Sequence, residues 1–245
     1  MSYLVNQLVS GLVYKVMNSE LRKWPYPHIV VEDWLPLDLW LDLASTWPEE
    51  KMAPIAEVRN LTSYKNRRCS RDQVDLGDHW DALTQAVMSA YFAEAMMDKF
   101  TIPASAMPHV HSDTLLIEDG PGYAIGPHTD SPAKILSMLA YFQDPWENRK
   151  PRNDTLGTSI YWTPTGRTCV GGPHHNRDDP AWDFQEVYRV PYEPNTMVCF
   201  LKTDNSFHGV EPVPEGANRR VFLWNLRKRP KDARAVLPPE AAAST

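Results

Sequence analysis

The chain has 245 residues, 42% of them hydrophobic and 23% charged, with a formal net charge of −6. That length suits one large globular domain or two small ones, with a core that needs no staples. The acidic balance gives no general pull toward nucleic acid or an anionic membrane surface. The three cysteines, Cys69, Cys169 and Cys199, are odd in number and far apart. They form neither a disulfide framework nor a zinc ribbon, so reduced thiols and a cytoplasmic location are expected.

At the N-terminus Leu4, Val5, Leu8, Val9, Leu12, Val13, Val16 and Met17 repeat at helical spacing, interrupted by Asn6, Gln7, Ser10 and Lys15. The pattern predicts an amphipathic helix packed on the domain, neither signal peptide nor membrane span. Such a helix also leaves a homodimer open. Ile29–Val31 reads as a short strand, and Pro36 to Trp47 as a helix bounded by prolines. Trp80, Leu83, Val87, Tyr91 and Met96 predict one helix over 80–100.

From His109 the pattern changes to short β-type runs: Thr114–Glu118, Ile135–Phe142, Thr158–Trp162, Glu186–Val190, Thr196–Leu201 and Arg219–Asn225. Gly/Pro turns separate them, which predicts a sandwich or barrel. Gln143 to Leu156 is polar, contains Pro145 and Pro151, and is long for a hairpin connection, so it reads as a lid. The expected organisation is a single domain over 1–245. It comprises a mainly helical part (1–105), a β core (106–229) and a tail (230–245). The basic cluster Arg227-Lys228-Arg229 with Lys231 reads as a solvated tail.

The chemistry centres on Gly126-Pro127-His128-Thr129-Asp130. Residues two apart in a strand share a face, so His128 and Asp130 can reach one metal. Ser206-Phe207-His208-Gly209-Val210 supplies a second histidine. Two histidines and a carboxylate on one face of an octahedron leave three positions open, as in non-haem iron(II) oxygenases. Further on stand Arg219 and Arg220, which can hold a carboxylate with two parallel bonds. As strand neighbours they face opposite sides, so only one points into a barrel.

His128-x-Asp130, then His208, then Arg219 resembles the 2-oxoglutarate/iron(II)-dependent dioxygenases, in their prolyl-hydroxylase-like and phytanoyl-hydroxylase-like branches. Gly122-Tyr123 ahead of Pro127-His128-Thr129-Asp130 is similar to the strand leading into that family's first ligands. His208-Gly209-Val210-x-Pro212-Val213 with Gly216 is similar to its second half. The resemblance covers residues 110 to 228 well and the first hundred loosely.

It implies a mainly β fold with flanking helices around a double-stranded β-helix, a variety of jelly roll. It also implies an iron(II) site at His128, Asp130 and His208, with 2-oxoglutarate and O2 as cosubstrates. Arg219 is favoured over Arg220 as the clamp on the distal carboxylate, although Val221 stands where the family often has Ser or Thr. Tyr123 is a candidate for a cosubstrate hydrogen bond. The carboxylate of Asp130 favours hydroxylation, since the family's halogenases replace it with a small residue. The expected substrate is a small molecule or conjugated metabolite. A cupin-type metalloenzyme without 2-oxoglutarate and a non-catalytic metal-binding module stay open. Other residues have plainer readings. His174-His175 is a solvated loop first and a substrate lid second, His109 and His111 are structural, and Trp146 and Trp162 are packing residues first and pocket-lining residues second. Lys134 and Arg167 are structural cations first and substrate contacts second.

Overall fold

Two β-sheets carry the fold in the computed structural model, which describes residues 3–59, 61, 64–70, 75–144, 154–172 and 174–230. In chain order the N-terminal elements are α1 (Tyr3–Asn18), β1 (His28–Val31), α2 (Leu37–Ser45), β2 (Met52–Pro54), α3 (Ile55–Arg59), β3 (Arg67–Ser70), α4 (Asp78–Val87) and α5 (Ala90–Lys99). Then follow β4 (Val110–Asp119), β5 (Ile125–His128), β6 (Lys134–Tyr141), β7 (Thr158–Trp162), β8 (Gln185–Val190), β9 (Met197–Leu201), β10 (His208–Val210) and β11 (Arg219–Lys228). One sheet has the order β1-β9-β6-β11-β4-β3-β2 and the other β5-β10-β7-β8. From β4 to β11 the chain passes back and forth between the sheets, which is the double-stranded β-helix.

Strand alternation builds the layers. On β11, Val221 and Leu223 face inward, with Ile117, Ile125 and Phe200, into the core between the sheets. Phe222, Trp224 and Leu226 face outward into a second core, under α1, α2, α4 and α5. The Trp224 ring meets Phe92 of α5 edge-on, with centroids 5.4 Å apart. Full burial of each such side chain contributes roughly 1.5–3 kcal/mol. The apolar face of α1, including Val5, Leu8, Leu12 and Val16, is buried in the same core. A subunit partner would therefore have to use its outer face, where Leu4, Tyr14 and Met17 are exposed.

The sequence reading differs from the structure at several points. The single helix expected over 80–100 is two. Ser89 takes an extended ψ of 147°, and its hydroxyl accepts from the Phe92 N–H, so it caps α5 rather than continuing α4. The part expected to be mainly helical also holds β2 and β3. Arg67–Ser70 is too short and polar to announce a strand, and pairing against β4 makes it one. Asp130 lies beyond the end of β5, not in the strand with His128. Trp146, Lys231, the tail from 231 and most of the expected lid (145–153) lie outside the described residues.

Because Trp224 serves only the helix-side core, Trp224→Ala should cost about 3–5 kcal/mol of stability. Denaturant unfolding measures the loss, and metal affinity of the folded variant should be unchanged.

Candidate metal centre

The antiparallel register of β5 and β10 sets His128 directly opposite His208. Their rings lie 4.3 Å apart, centroid to centroid. The strands approach closely because residue 209 is glycine, where a Cβ would meet the Ile125 carbonyl oxygen at 2.6 Å. In each histidine Nδ1 is 3.0 Å from the backbone oxygen two residues earlier, Gly126 for His128 and Ser206 for His208. Donation there fixes the tautomer and leaves Nε2 as a lone-pair donor.

Asp130 completes the group. One ligand atom from each of His128, Asp130 and His208 fits within a 4.8 Å span. Asp130 Oδ1 accepts from Lys134 Nζ at 2.8 Å and Oδ2 from Ser137 Oγ at 2.6 Å. These bonds orient the carboxylate and leave lone pairs on both oxygens. The His208 ring is also flanked by Phe200, at 4.4 Å.

Protonation suits a divalent cation. Burial lowers the His128 pKa to about 3, helped by the neighbouring His208. Burial likewise lowers His208. Burial would push Asp130 up, but Lys134, His208 and His128 outweigh it and hold the carboxyl well below the usual range. At neutral pH the group is two neutral imidazoles and one carboxylate, the state that binds a metal. Imidazole and carboxylate donors suit divalent iron.

A cavity of about 760 Å³ opens beside the group and takes in His128, Asp130, Lys134 and Asn225. It continues past Ile117, Ile125 and Leu223 to Arg67. The strand register gives the barrel two ends: Arg227 pairs with Lys134 at the histidine end, and Arg219 pairs with Asp119 at the other.

The adjacent arginines part company there. Arg219 faces inward, donating to Asp119 Oδ2 (3.0 Å), the Leu156 carbonyl (2.7 Å) and Thr158 Oγ1 (3.1 Å). Arg220 faces the helices, paired with Glu118 at 3.2 Å and with Glu49. Tyr123 is buried inside the barrel, with the Arg67 guanidinium 4.1 Å from its ring centroid. Its Oη has no hydrogen-bond partner among the described residues.

Several residues of the site are not announced by the sequence pattern. His174, read as part of a solvated loop, lies 6.2 Å from the His128 ring and stacks on Tyr64 at 5.7 Å. The reason is a backbone contact, since His175 N donates to the Pro127 oxygen at 2.8 Å. Gly126 makes room, because a Cβ there would meet the His175 oxygen at 2.2 Å. Ser137, Asn225 and Arg67 are likewise unannounced by the sequence, and Lys134, a structural cation first and a substrate contact second in the sequence, is bonded to Asp130. Strand alternation places Ser137 and Asn225 inward, but only the sheet register sets them side by side. Arg167 packs over Trp182, and Trp162 lies against Trp24.

No family model matches this chain, and no curated protein matches it. Solved structures do. A Pseudomonas putida prolyl-4-hydroxylase is 15% identical, with a TM-score of 0.53 over 91% of this chain and 100% of that one. A 2OG-Fe(II) oxygenase family oxidoreductase from Burkholderia pseudomallei is 13% identical, with a TM-score of 0.50 over 92% and 90%. HygX from Streptomyces hygroscopicus, solved with nickel and 2-oxoglutarate bound, is 8% identical, with a TM-score of 0.53 over 82% of each chain. At these identities the likeness shows the fold: this chain has the fold of the 2-oxoglutarate/iron(II) oxygenases.

The depressed histidine pKa values set an acid response. An unfolded chain protonates these histidines near pH 6.5, whereas the folded chain resists, so protons favour unfolding below that pH. Asp130, depressed when folded, adds to the loss as pH falls through the carboxylate range. Stability of the metal-free protein, from denaturant midpoints, should fall steadily from pH 7 to pH 4. The slope should be shallower in His128→Asn.

Proposed function

We propose that this chain is a 2-oxoglutarate- and Fe(II)-dependent oxygenase that hydroxylates a small molecule or conjugated metabolite, releasing succinate and CO2. The observation that carries the reading is the three-residue group beside a cavity within this fold. Two imidazoles and one carboxylate leave half of an octahedral ion open to a chelating cosubstrate and to O2. When bound, iron and the 2-oxoacid supply the oxidising chemistry. The chain's part is to bind, orient and shield.

In this reading His128, Asp130 and His208 are the metal ligands. Lys134 and Ser137 hold the Asp130 carboxylate in place. The distal carboxylate of the 2-oxoacid is drawn to the arginine end of the barrel. Arg219 is the inward member of the adjacent pair there, and Arg220 is committed outward to Glu118 and Glu49. The orphaned Oη of Tyr123 fits a donor to the same ligand. Asp130 takes the position that a halide would need, which favours hydroxylation. No disulfide forms among the described residues, which suits a reducing compartment, and we place the protein in the cytoplasm. No helix among the described residues is long and apolar enough to cross a membrane.

Anaerobic titration with Fe(II) and then 2-oxoglutarate tests the reading. Tight metal binding followed by saturable 2-oxoglutarate binding is expected, with succinate and CO2 released in air. His208→Ala should weaken metal binding by more than the roughly 10–100-fold typical of outer-shell losses. Metal binding with no 2-oxoglutarate effect would instead indicate a cupin-type enzyme. Binding of both without O2 uptake, across a metabolite screen, would indicate a non-catalytic module.

A further inference from the structure

Three neighbouring strands carry two parallel rows of charge. Asp119 of β4 is paired in register with Arg219 of β11 and with Arg67 of β3, and all three face inward. One position along, Glu118 is paired with Arg220 and Arg68, facing outward. Each row therefore reads arginine, acid, arginine.

The rows differ in balance. The outer row has a second carboxylate, because Glu49 pairs with Arg220 and its backbone oxygen accepts from Arg68. In the inner row Asp119 is the only carboxylate paired with either guanidinium among the described residues. Two guanidinium groups against one carboxylate leave a surplus positive charge. It is buried, with side-chain exposures of 15% for Arg67, 0% for Asp119 and 1% for Arg219. A buried charge without a partner is costly, so the row favours an added anion.

The place for the anion follows from the donors. Arg219 gives Nε, Nη1 and Nη2 each to a protein acceptor. Arg67 forks onto Asp119 through Nε and Nη2, and Nη1 takes no part in that pair. Arg67, unlike Arg219, lines the cavity that also contains His128 and Asp130. Tyr123, under the Arg67 guanidinium, has the orphaned hydroxyl.

We propose that Arg67, from a strand outside the double-stranded β-helix, is a second guanidinium on the distal carboxylate of the 2-oxoacid, acting with Tyr123 and alongside Arg219. The proposal rests on the oxygenase reading. It makes the N-terminal part of the chain a contributor to cosubstrate selection, because a 2-oxoacid with no distal carboxylate leaves the inner row unbalanced.

The test is calorimetric binding of 2-oxoglutarate and of 2-oxobutanoate to the Ni(II)-loaded full chain under argon. Wild type should prefer 2-oxoglutarate. Arg67→Met should weaken 2-oxoglutarate roughly 10–100-fold, the loss of a hydrogen bond between charged groups. It should leave 2-oxobutanoate and Ni(II) affinity unchanged, so that the preference collapses. Arg68→Met, on the outer row, should keep the preference. If Arg67→Met does not fold, Arg67→Lys serves: the charge stays, the fork is lost, and the preference should shrink severalfold. An unchanged preference in the folded Arg67 variant overturns the assignment and leaves the oxygenase reading standing. Failure of wild type to bind either 2-oxoacid overturns the oxygenase reading itself.

Discussion

The pairing of β5 with β10 is the contact on which the rest of the site depends. It sets His128 opposite His208 and brings two residues distant in sequence to ring contact at 4.3 Å. The pairing is steric before it is chemical, since a side chain at position 209 would collide with the Ile125 carbonyl. Once the strands meet, Asp130 is delivered by the turn out of β5, and β6 supplies Lys134 and Ser137 to hold it. The loop carrying His174 settles against the same edge through its own backbone bond to Pro127. Loss of that strand contact would therefore disperse the donors together.

The barrel is electrically polar along its length. At one end burial keeps two imidazoles neutral beside a carboxylate, so the site favours a cation. At the other end the inner row of two arginines and one aspartate favours an anion. Apolar walls of Ile117, Ile125 and Leu223 line the cavity that takes in His128 and Asp130 from the first and Arg67 from the second. A molecule that chelates a metal at one end and carries a carboxylate at the other matches that polarity. A sheet produces it economically, because consecutive residues on one strand face opposite ways. Arg219 and Arg220 are adjacent in sequence, yet one enters the barrel and the other braces the helices.

The helices do their work from the outer face. Phe222, Trp224 and Leu226 are buried against them, so the strand that carries Arg219 inward is anchored from behind. The N-terminal part also extends the larger sheet through β1, β2 and β3. By way of β3 it places Arg67 inside the barrel, in register with Asp119.

Local pattern was enough for much of this. The β-branched and aromatic runs marked β4, β6, β7, β8, β9 and β11, because half-buried strands need such residues at alternating positions. The ordered text His128-x-Asp130, His208, Arg219 marked the candidate donors, because metal ligation demands those side-chain types. Alternation also required Arg219 and Arg220 to diverge, but it left open which one entered the barrel. Only the tertiary structure decided that, because inside and outside are properties of how two sheets pack. The same holds for β3, whose Arg-Arg-Cys-Ser becomes a strand only against β4. It holds too for His174, which a backbone contact carries close to His128. Sequence spacing fixes which residues are neighbours along the chain, whereas pairing between strands far apart in sequence fixes which charges share one buried space.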